Sequence, residues 1–301
     1  PKFLHYRART ALLTSVEFDH ADIYRDEQAY VFAFARFINL IPSAGTLVAG
    51  WDSPVVRELA AKSFAPVQSF GFGGDYGAHG PSWEAINVQF GAEQTSFEVV
   101  HDGQPWGSVE TPVAGAFNVR NCLAAIAAAD AIGADQARVQ EGLATFRSVR
   151  RRLEVRGTVA GVTVIDDFAH HPTAVSETID AVRQRYPGRR IVAVFEPRSY
   201  TAQRKEFEGR YIDSFGGADA IVLAGLFHPE RYTRETAIDP DTMVEAWQAR
   251  GKAANYIPQV DDIVRFLDQR LSGGEIVLIM SNGGFGGIHG KLLNRLQARG
   301  S

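Results

Sequence analysis

Four short apolar runs rich in β-branched residues set the rhythm of the second half of the chain, at residues 162–165, 191–195, 220–224 and 276–280. They show little polar alternation, which is the pattern of strands covered on both faces. Between them lie amphipathic stretches of helical length, at 173–186, 202–215, 241–249 and 261–271. A weaker strand at 255–257 precedes the fourth of these, and a last helix spans 288–298. Pro187-Gly188, Gly216-Gly217 and Gly273-Gly274 punctuate helix ends. Strands alternating with helices predict an α/β fold, a mostly parallel, Rossmann-like sheet with helices on both faces.

The first half is more mixed. It reads as a strand at 11–16, a helix at 27–40, a strand at 46–49 and a short helix at 55–63. An antiparallel β segment follows within 71–110, then an Ala-rich helix at 118–132 and another at 136–145. A length of 301 residues suits two domains. Their boundary is expected near 148–158, which divides the chain into 1–152 and 153–301.

Composition narrows the functional classes. Thirty-one Lys and Arg against 35 Asp and Glu leave a net charge of −4. Neither nucleic acid nor an anionic membrane is therefore an expected partner. The only cysteine is Cys122, so no intramolecular disulfide forms, which suits a reducing compartment. No apolar run reaches the length of a membrane-spanning helix. The start, Pro1-Lys2-Phe3-Leu4, has neither an initiator Met nor a signal-peptide core, and the expectation is of a fragment.

Chemistry-bearing residues gather where strands end. Asp166-Asp167-Phe168-Ala169-His170-His171-Pro172 follows one strand and opens a helix. In open α/β sheets ligands bind beyond the carboxyl ends of strands. Asp167 can accept from a ribose hydroxyl there. Asp and His can equally cap the helix, and Asp with His can also ligate zinc. Glu196-Pro197-Arg198-Ser199-Tyr200-Thr201 follows the next strand. Arg198 can clamp a carboxylate through two hydrogen bonds, or the segment is a solvated turn. Phe227-His228 and Ser281-Asn282 add two more polar strand ends, and together the four favour a binding crevice.

Ser281 to Lys291 is glycine-rich and leads into a helix. Its backbone N–H groups can approach an anion, or its glycines allow close packing. It is not a phosphate-binding P-loop, because Leu292 stands where Ser or Thr is required. For the glycines of 71–77 close packing is the better reading. Asn118 and Asn121 share one helix face. They can read an adenine edge, or Asn118 can cap the helix. His20, beside Glu17 and Asp19, is a weak Mg²⁺ candidate, since Mg²⁺ prefers oxygen ligands.

In this order, Phe18-Asp19-His20-Ala21-Asp22-Ile23-Tyr24, Phe117-Asn118-Val119-Arg120-Asn121, Arg151-Arg152-Leu153-Glu154, 166–172 and 281–289 resemble the motifs of the Mur ligases. The resemblance runs through the whole chain. It implies the later part of a central ATPase domain followed by the family's C-terminal domain. The implied activity is ATP-dependent amide ligation through an acyl phosphate, in the bacterial cytoplasm, for peptidoglycan recycling. The Glu196–Ser199 and Ser281–His289 motifs are similar to the peptide-ligase branch, whose substrates are UDP-N-acetylmuramate and the tripeptide L-Ala-γ-D-Glu-meso-diaminopimelate. By the same resemblance His20 matches a Mg²⁺ ligand and Asn118 and Asn121 the adenine contacts. Arg152 matches the arginine on the γ-phosphate, and Asp167 the carboxylate at the ribose of ATP. Arg198, Ser199, Asn282, Gly283, Gly284 and His170 fall in the region that holds the incoming peptide.

The family's P-loop, G-x-x-G-K-T/S, is absent from the sequence, so the chain alone is expected to lack ligase activity. Rival readings are a UDP-N-acetylmuramate–L-alanine ligase, a dinucleotide-dependent oxidoreductase, a metallohydrolase on Asp167, His170 and His171, and a non-catalytic nucleotide-binding module. The oxidoreductase requires G-x-G-x-x-G after the first strand of the second half, where 166–172 stands instead.

Overall fold

The apolar runs of the second half are the central strands of a sheet, described with the rest of the chain in a computed structural model covering residues 1–20, 23–74, 76 and 80–299. The chain forms two units, Pro1–Arg147 and Ser148–Ser301. Residues 148–152, expected with the first domain, belong to the second. The reason is local: the Arg151 side chain bonds to carbonyls of the 281–283 loop.

The first unit runs β1 (Thr10–Leu13), α1 (Glu27–Ile38), β2 (Thr46–Gly50), α2 (Pro54–Ala60) and β3 (Val67–Gly71). It continues through β4 (Trp83–Phe90), β5 (Thr95–His101), β6 (Gln104–Thr111), α3 (Ala116–Asp130) and α4 (Gln136–Ala144). The six strands lie in sequence order. Strands β1 to β4 are parallel, while β4, β5 and β6 form an antiparallel meander. Alternation within β2 explains the layers. Leu47 and Ala49 pack with Ile38, Val56 and Leu59 of α1 and α2, whereas Val48 packs with Val119, Leu123 and Ile126 of α3. Strand β3 escaped the sequence reading because Val-Gln-Ser-Phe-Gly is short and half polar.

The second unit contains β7 (Glu154–Val159), β8 (Val162–Asp167), α5 (Pro172–Arg185), β9 (Ile191–Phe195), α6 (Glu208–Ser214) and β10 (Ala220–Leu223). It ends with α7 (Pro240–Ala249), β11 (Ala253–Tyr256), α8 (Val260–Arg270), β12 (Ile276–Met280) and α9 (Ile288–Gln297). Strand order is β11-β10-β9-β12-β8-β7, parallel except for β7. Val192, Val194, Val277 and Ile279 face Ile263, Leu267, Ile288 and Leu292 of α8 and α9. The opposite face carries an aromatic chain, Tyr211–Phe195–Phe215–Trp247, with centroids 5.0–5.6 Å apart. All five residues of β9 are buried. Each fully buried Val, Ile or Phe contributes about 1.5–3 kcal/mol relative to exposure, so the strand needs no polar face.

One expectation fails here, and one strand is added. The helix expected at 202–215 is two 3₁₀ turns followed by α6. The backbone at 203–205 bonds instead to Thr236 and Ile238, an antiparallel bridge that sequence periodicity cannot reveal. Strand β7 was not anticipated, because it is an edge strand bearing Arg156 and a bulge next to Gly157.

The connections of the second unit create a switch point. Strands β8 and β9 flank β12. Beyond β8 and β9 the chain continues into α5 and α6, whereas beyond β12 it enters α9, which packs on the other face. A crevice opens between carboxyl ends where connections diverge in this way. The three loops at that edge begin at Phe168, Glu196 and Ser281.

Candidate active site

The loops at the switch point are bonded to one another. Ser281 N donates to Asp167 O at 3.1 Å, and Glu196 N donates to Met280 O at 3.1 Å. The Ser281 hydroxyl donates to Glu196 Oε2 at 2.5 Å and accepts from Gly283 N at 2.9 Å. Arg151 Nη2 donates to Ser281 O at 2.5 Å and to Gly283 O at 2.7 Å. The backbone of Arg151, at φ +60°, is left-handed, a conformation a non-glycine residue keeps only when its surroundings compensate. Those two carbonyl bonds, and the stack of Arg151 on the Phe168 ring at 5.0 Å, supply that compensation.

The paired aspartates have different environments. Asp166 lies 3.3 Å from His289 Nε2 and 3.5 Å from Arg151 Nε. Burial raises its pKa, but its pairing with His289 and the charges of Arg151 and Arg156 outweigh that and hold the carboxyl below its usual range. Asp167 is 3% exposed. Its Oδ2 accepts from Leu153 N and its Oδ1 from Ala169 N, both at 2.8 Å. Burial prevails at Asp167 over these bonds and the Arg152 charge, and raises its pKa. Neither Asp167 nor His171 provides a side-chain cap for α5, although Pro172 does occupy the first helical turn as expected. Asp167 instead braces the turn on which Phe168 stands.

Arg152 is exposed, with its guanidinium 5.4 Å from the Phe168 ring. His170 Nδ1 donates to Phe168 O at 3.0 Å, and Tyr211 donates to His170 O. Ser199 Oγ accepts from Ala202 N, and Gln203 Nε2 donates to the carbonyls of Arg198 and Ser199. Arg198 lies against Gly283, 3.6 Å from the Phe227 ring centroid and 3.8 Å from Glu196. Asn282 and Gly283 are half-buried and Gly284 is exposed. The structure therefore brings Arg198, Ser199, Asn282 and Gly283 to one sheet edge, close to Glu196. Of the remaining glycines in the loop, Gly286 and Gly287 have left-handed backbones (φ +56° and +71°), and Gly286 packs closely, a Cβ there falling 3.2 Å from Val260. Lys291 pairs with Asp261 and Leu292 lies in the core.

In the first unit, Asn118 and Asn121 are mutually hydrogen-bonded. Asn118 Nδ2 donates to Ala114 O at 2.7 Å and its Oδ1 accepts from Asn121 Nδ2 at 3.3 Å. The residue preceding α3 is Gly115, so Asn118 is not the cap. The coupled amides retain donor and acceptor capacity, which fits a purine edge. His20 is exposed, with a left-handed backbone and its own N–H on Asp19 Oδ1. Ala21 and Asp22 of that motif lie outside the described residues. Among the described residues no three His, Cys, Asp or Glu side chains are placed to hold a metal. The described residues alone thus assemble neither a Mg²⁺ shell around His20 nor a zinc site on Asp167, His170 and His171.

Gly71 and Gly74 serve packing, as expected, whereas Gly73 has a left-handed backbone (φ +71°) with open space around it. A Cβ at Gly71 would fall 2.4 Å from the Tyr76 hydroxyl, which donates to Asp52 at 2.8 Å. Asp75 and Gly77 lie outside the described residues. Arg151, Phe227 and His289 stood inside motifs that the sequence disclosed, but without a role of their own, and Gln203 carried no signal.

Two family models match the chain, the Mur ligase middle domain over residues 3–129 and the Mur ligase glutamate ligase domain over 151–283. The chain belongs to the Mur ligase family, whose members are ATP-dependent ligases. It is 36% identical to the UDP-N-acetylmuramate–L-alanyl-γ-D-glutamyl-meso-2,6-diaminoheptandioate ligase of Escherichia coli K12, over 98% of this chain and 61% of that one. It is 34% identical to the UDP-N-acetylmuramate–L-alanine ligase of Salinibacter ruber, over 93% and 58%. The crystal structure of a murein peptide ligase from Psychrobacter arcticus superposes with a TM-score of 0.67 at 30% identity, over 98% and 59%. The chain spans about three fifths of the length of the curated relatives it matches. Among the described residues no helix is long and apolar enough to cross a membrane.

Proposed function

We propose that the whole protein joins UDP-N-acetylmuramate to L-Ala-γ-D-Glu-meso-diaminopimelate by ATP-dependent amide ligation, in the bacterial cytoplasm, as a step of peptidoglycan recycling. One observation carries this reading: a guanidinium, Arg198, fixed beside a carboxylate, Glu196, at the switch point of the second sheet. A peptide with several carboxylates and a free amine matches both charges. The name of the Escherichia coli relative supports the same acceptor.

The nucleotide supplies the phosphoryl group that activates the muramate carboxylate. Asn118 and Asn121 are proposed to read the base, and Arg152, exposed on Phe168, to neutralise charge on the terminal phosphate. Asp167, which accepts from Leu153 N, Ala169 N and the Thr178 hydroxyl, has about one of four acceptor positions left for a ribose hydroxyl. His20 is proposed as one Mg²⁺ ligand, the rest of the shell being phosphate oxygens and water. Arg198 and Ser199, with His170 and the Asn282–Gly284 loop, hold the peptide and orient its amine. Water is kept from the activated carboxylate, which hydrolyses readily.

A second reading, the L-alanine ligase, is favoured by the Salinibacter ruber relative. Steady-state assays of the whole protein with either acceptor separate the two. The tripeptide is expected to exceed L-alanine in kcat/KM by about 100-fold or more, and equal or better use of L-alanine overturns the proposal.

A further inference from the structure

Arg198 is the point where the loops after β9, β10 and β12 meet. Its guanidinium carbon lies 3.6 Å from the centroid of the Phe227 ring, a closer approach than any other cation–aromatic contact among the described residues. The ring is itself backed by His228, whose imidazole meets it edge-on at 4.1 Å and pairs with Glu230 at 2.9 Å. Gly283 contributes by having no side chain. A Cβ there would fall 2.2 Å from Arg198 Cδ and Nε and 2.6 Å from Cζ. A side chain at 283 and the observed Arg198 position are therefore mutually exclusive. Gln203 fixes the backbone beneath through the Arg198 and Ser199 carbonyls.

An unrestrained arginine loses rotamer freedom when it binds a carboxylate, whereas a planar fork already stacked on a ring loses little. We infer that Phe227 and Gly283 are positioning residues that lock the Arg198 guanidinium and thereby set the affinity of the site for a carboxylate-bearing peptide. The inference rests on the reading of Arg198 as the peptide's carboxylate contact.

The test uses the 301-residue chain with ¹⁵N-labelled arginine and the free tripeptide as probe. Two quantities are measured: solvent exchange of the Arg198 Nε–H, and tripeptide affinity by calorimetry. Phe227→Leu is expected to speed the exchange about tenfold and to weaken tripeptide binding about tenfold, the scale of a desolvated cation–π contact. Phe227→Tyr, which keeps the ring face, restores both to within about twofold. Gly283→Ala reproduces the Phe227→Leu result without altering the aromatic side, and covers the case in which Phe227→Leu does not fold. Unchanged Arg198 exchange in folded Phe227→Leu and Gly283→Ala chains overturns the inference. Faster exchange, with tripeptide affinity unchanged in both Phe227→Leu and Arg198→Ala, upholds the lock but overturns the peptide reading of Arg198.

Discussion

Asp166 and Asp167 are neighbours in sequence and are shifted in opposite directions. Asp166 is held below its usual pKa, with burial outweighed by His289, Arg151 and Arg156. Its contribution to stability is present above the unfolded pKa and is lost as pH falls through the lower folded one. The stability gap between the natural chain and Asp166→Asn should therefore be widest above about pH 4 and narrow in more acid solution. Denaturant titrations across that range check this, and a gap that widens on acidification contradicts it. Asp167, raised by burial, has the opposite sign: its contribution is present below the unfolded pKa and fades as pH rises. Arg152 is exposed and expected to act on a phosphate, so Arg152→Ala in the whole protein should lower kcat by about 10²–10³-fold. Its stability should stay within about 0.5 kcal/mol of the natural protein. A kcat within threefold of the natural value, about half a logarithm, removes Arg152 from the reaction. The sequence disclosed Arg198, Ser281 and Gly283 because strand ends are where α/β ligands bind. It could not show the partners of Phe227 and His289, which lie 29 and 123 residues away in the chain.

Strand β12 carries the second unit. It lies between β8 and β9, all five of its residues are buried, and its exit loop forms part of the site. Ile279→Ala should cost about 2–5 kcal/mol and lower the melting of the second unit alone, since the first has its own cores. Calorimetry resolves the two, and a loss below about 1 kcal/mol contradicts the packing described. Strands β9 and β12 were legible to the residue, because a strand covered on both faces has nothing but apolar side chains. Strand β7 and the 3₁₀ turns before α6 were not. An edge strand tolerates charge and a bulge, and the backbone bonds at 203–205 depend on residues more than 30 positions away.

At the scale of the molecule, two units carry the two halves of the proposed chemistry: Asn118 and Asn121 in the first, Arg198 and the 281–284 loop in the second. The sequence contains no G-x-x-G-K-T/S phosphate loop. The 301-residue chain alone is therefore expected to form no amide from UDP-N-acetylmuramate and tripeptide, and ATP-dependent product by mass spectrometry contradicts this. The central claim is that the carboxyl-end loops of the second sheet receive the peptide. Amide hydrogen exchange of the chain with and without tripeptide tests it most directly. The account predicts slowed exchange across 196–203 and 281–287, and none around Arg190 and Arg270 at the opposite strand ends. Protection confined to that opposite edge, or absent from both loops, would contradict it.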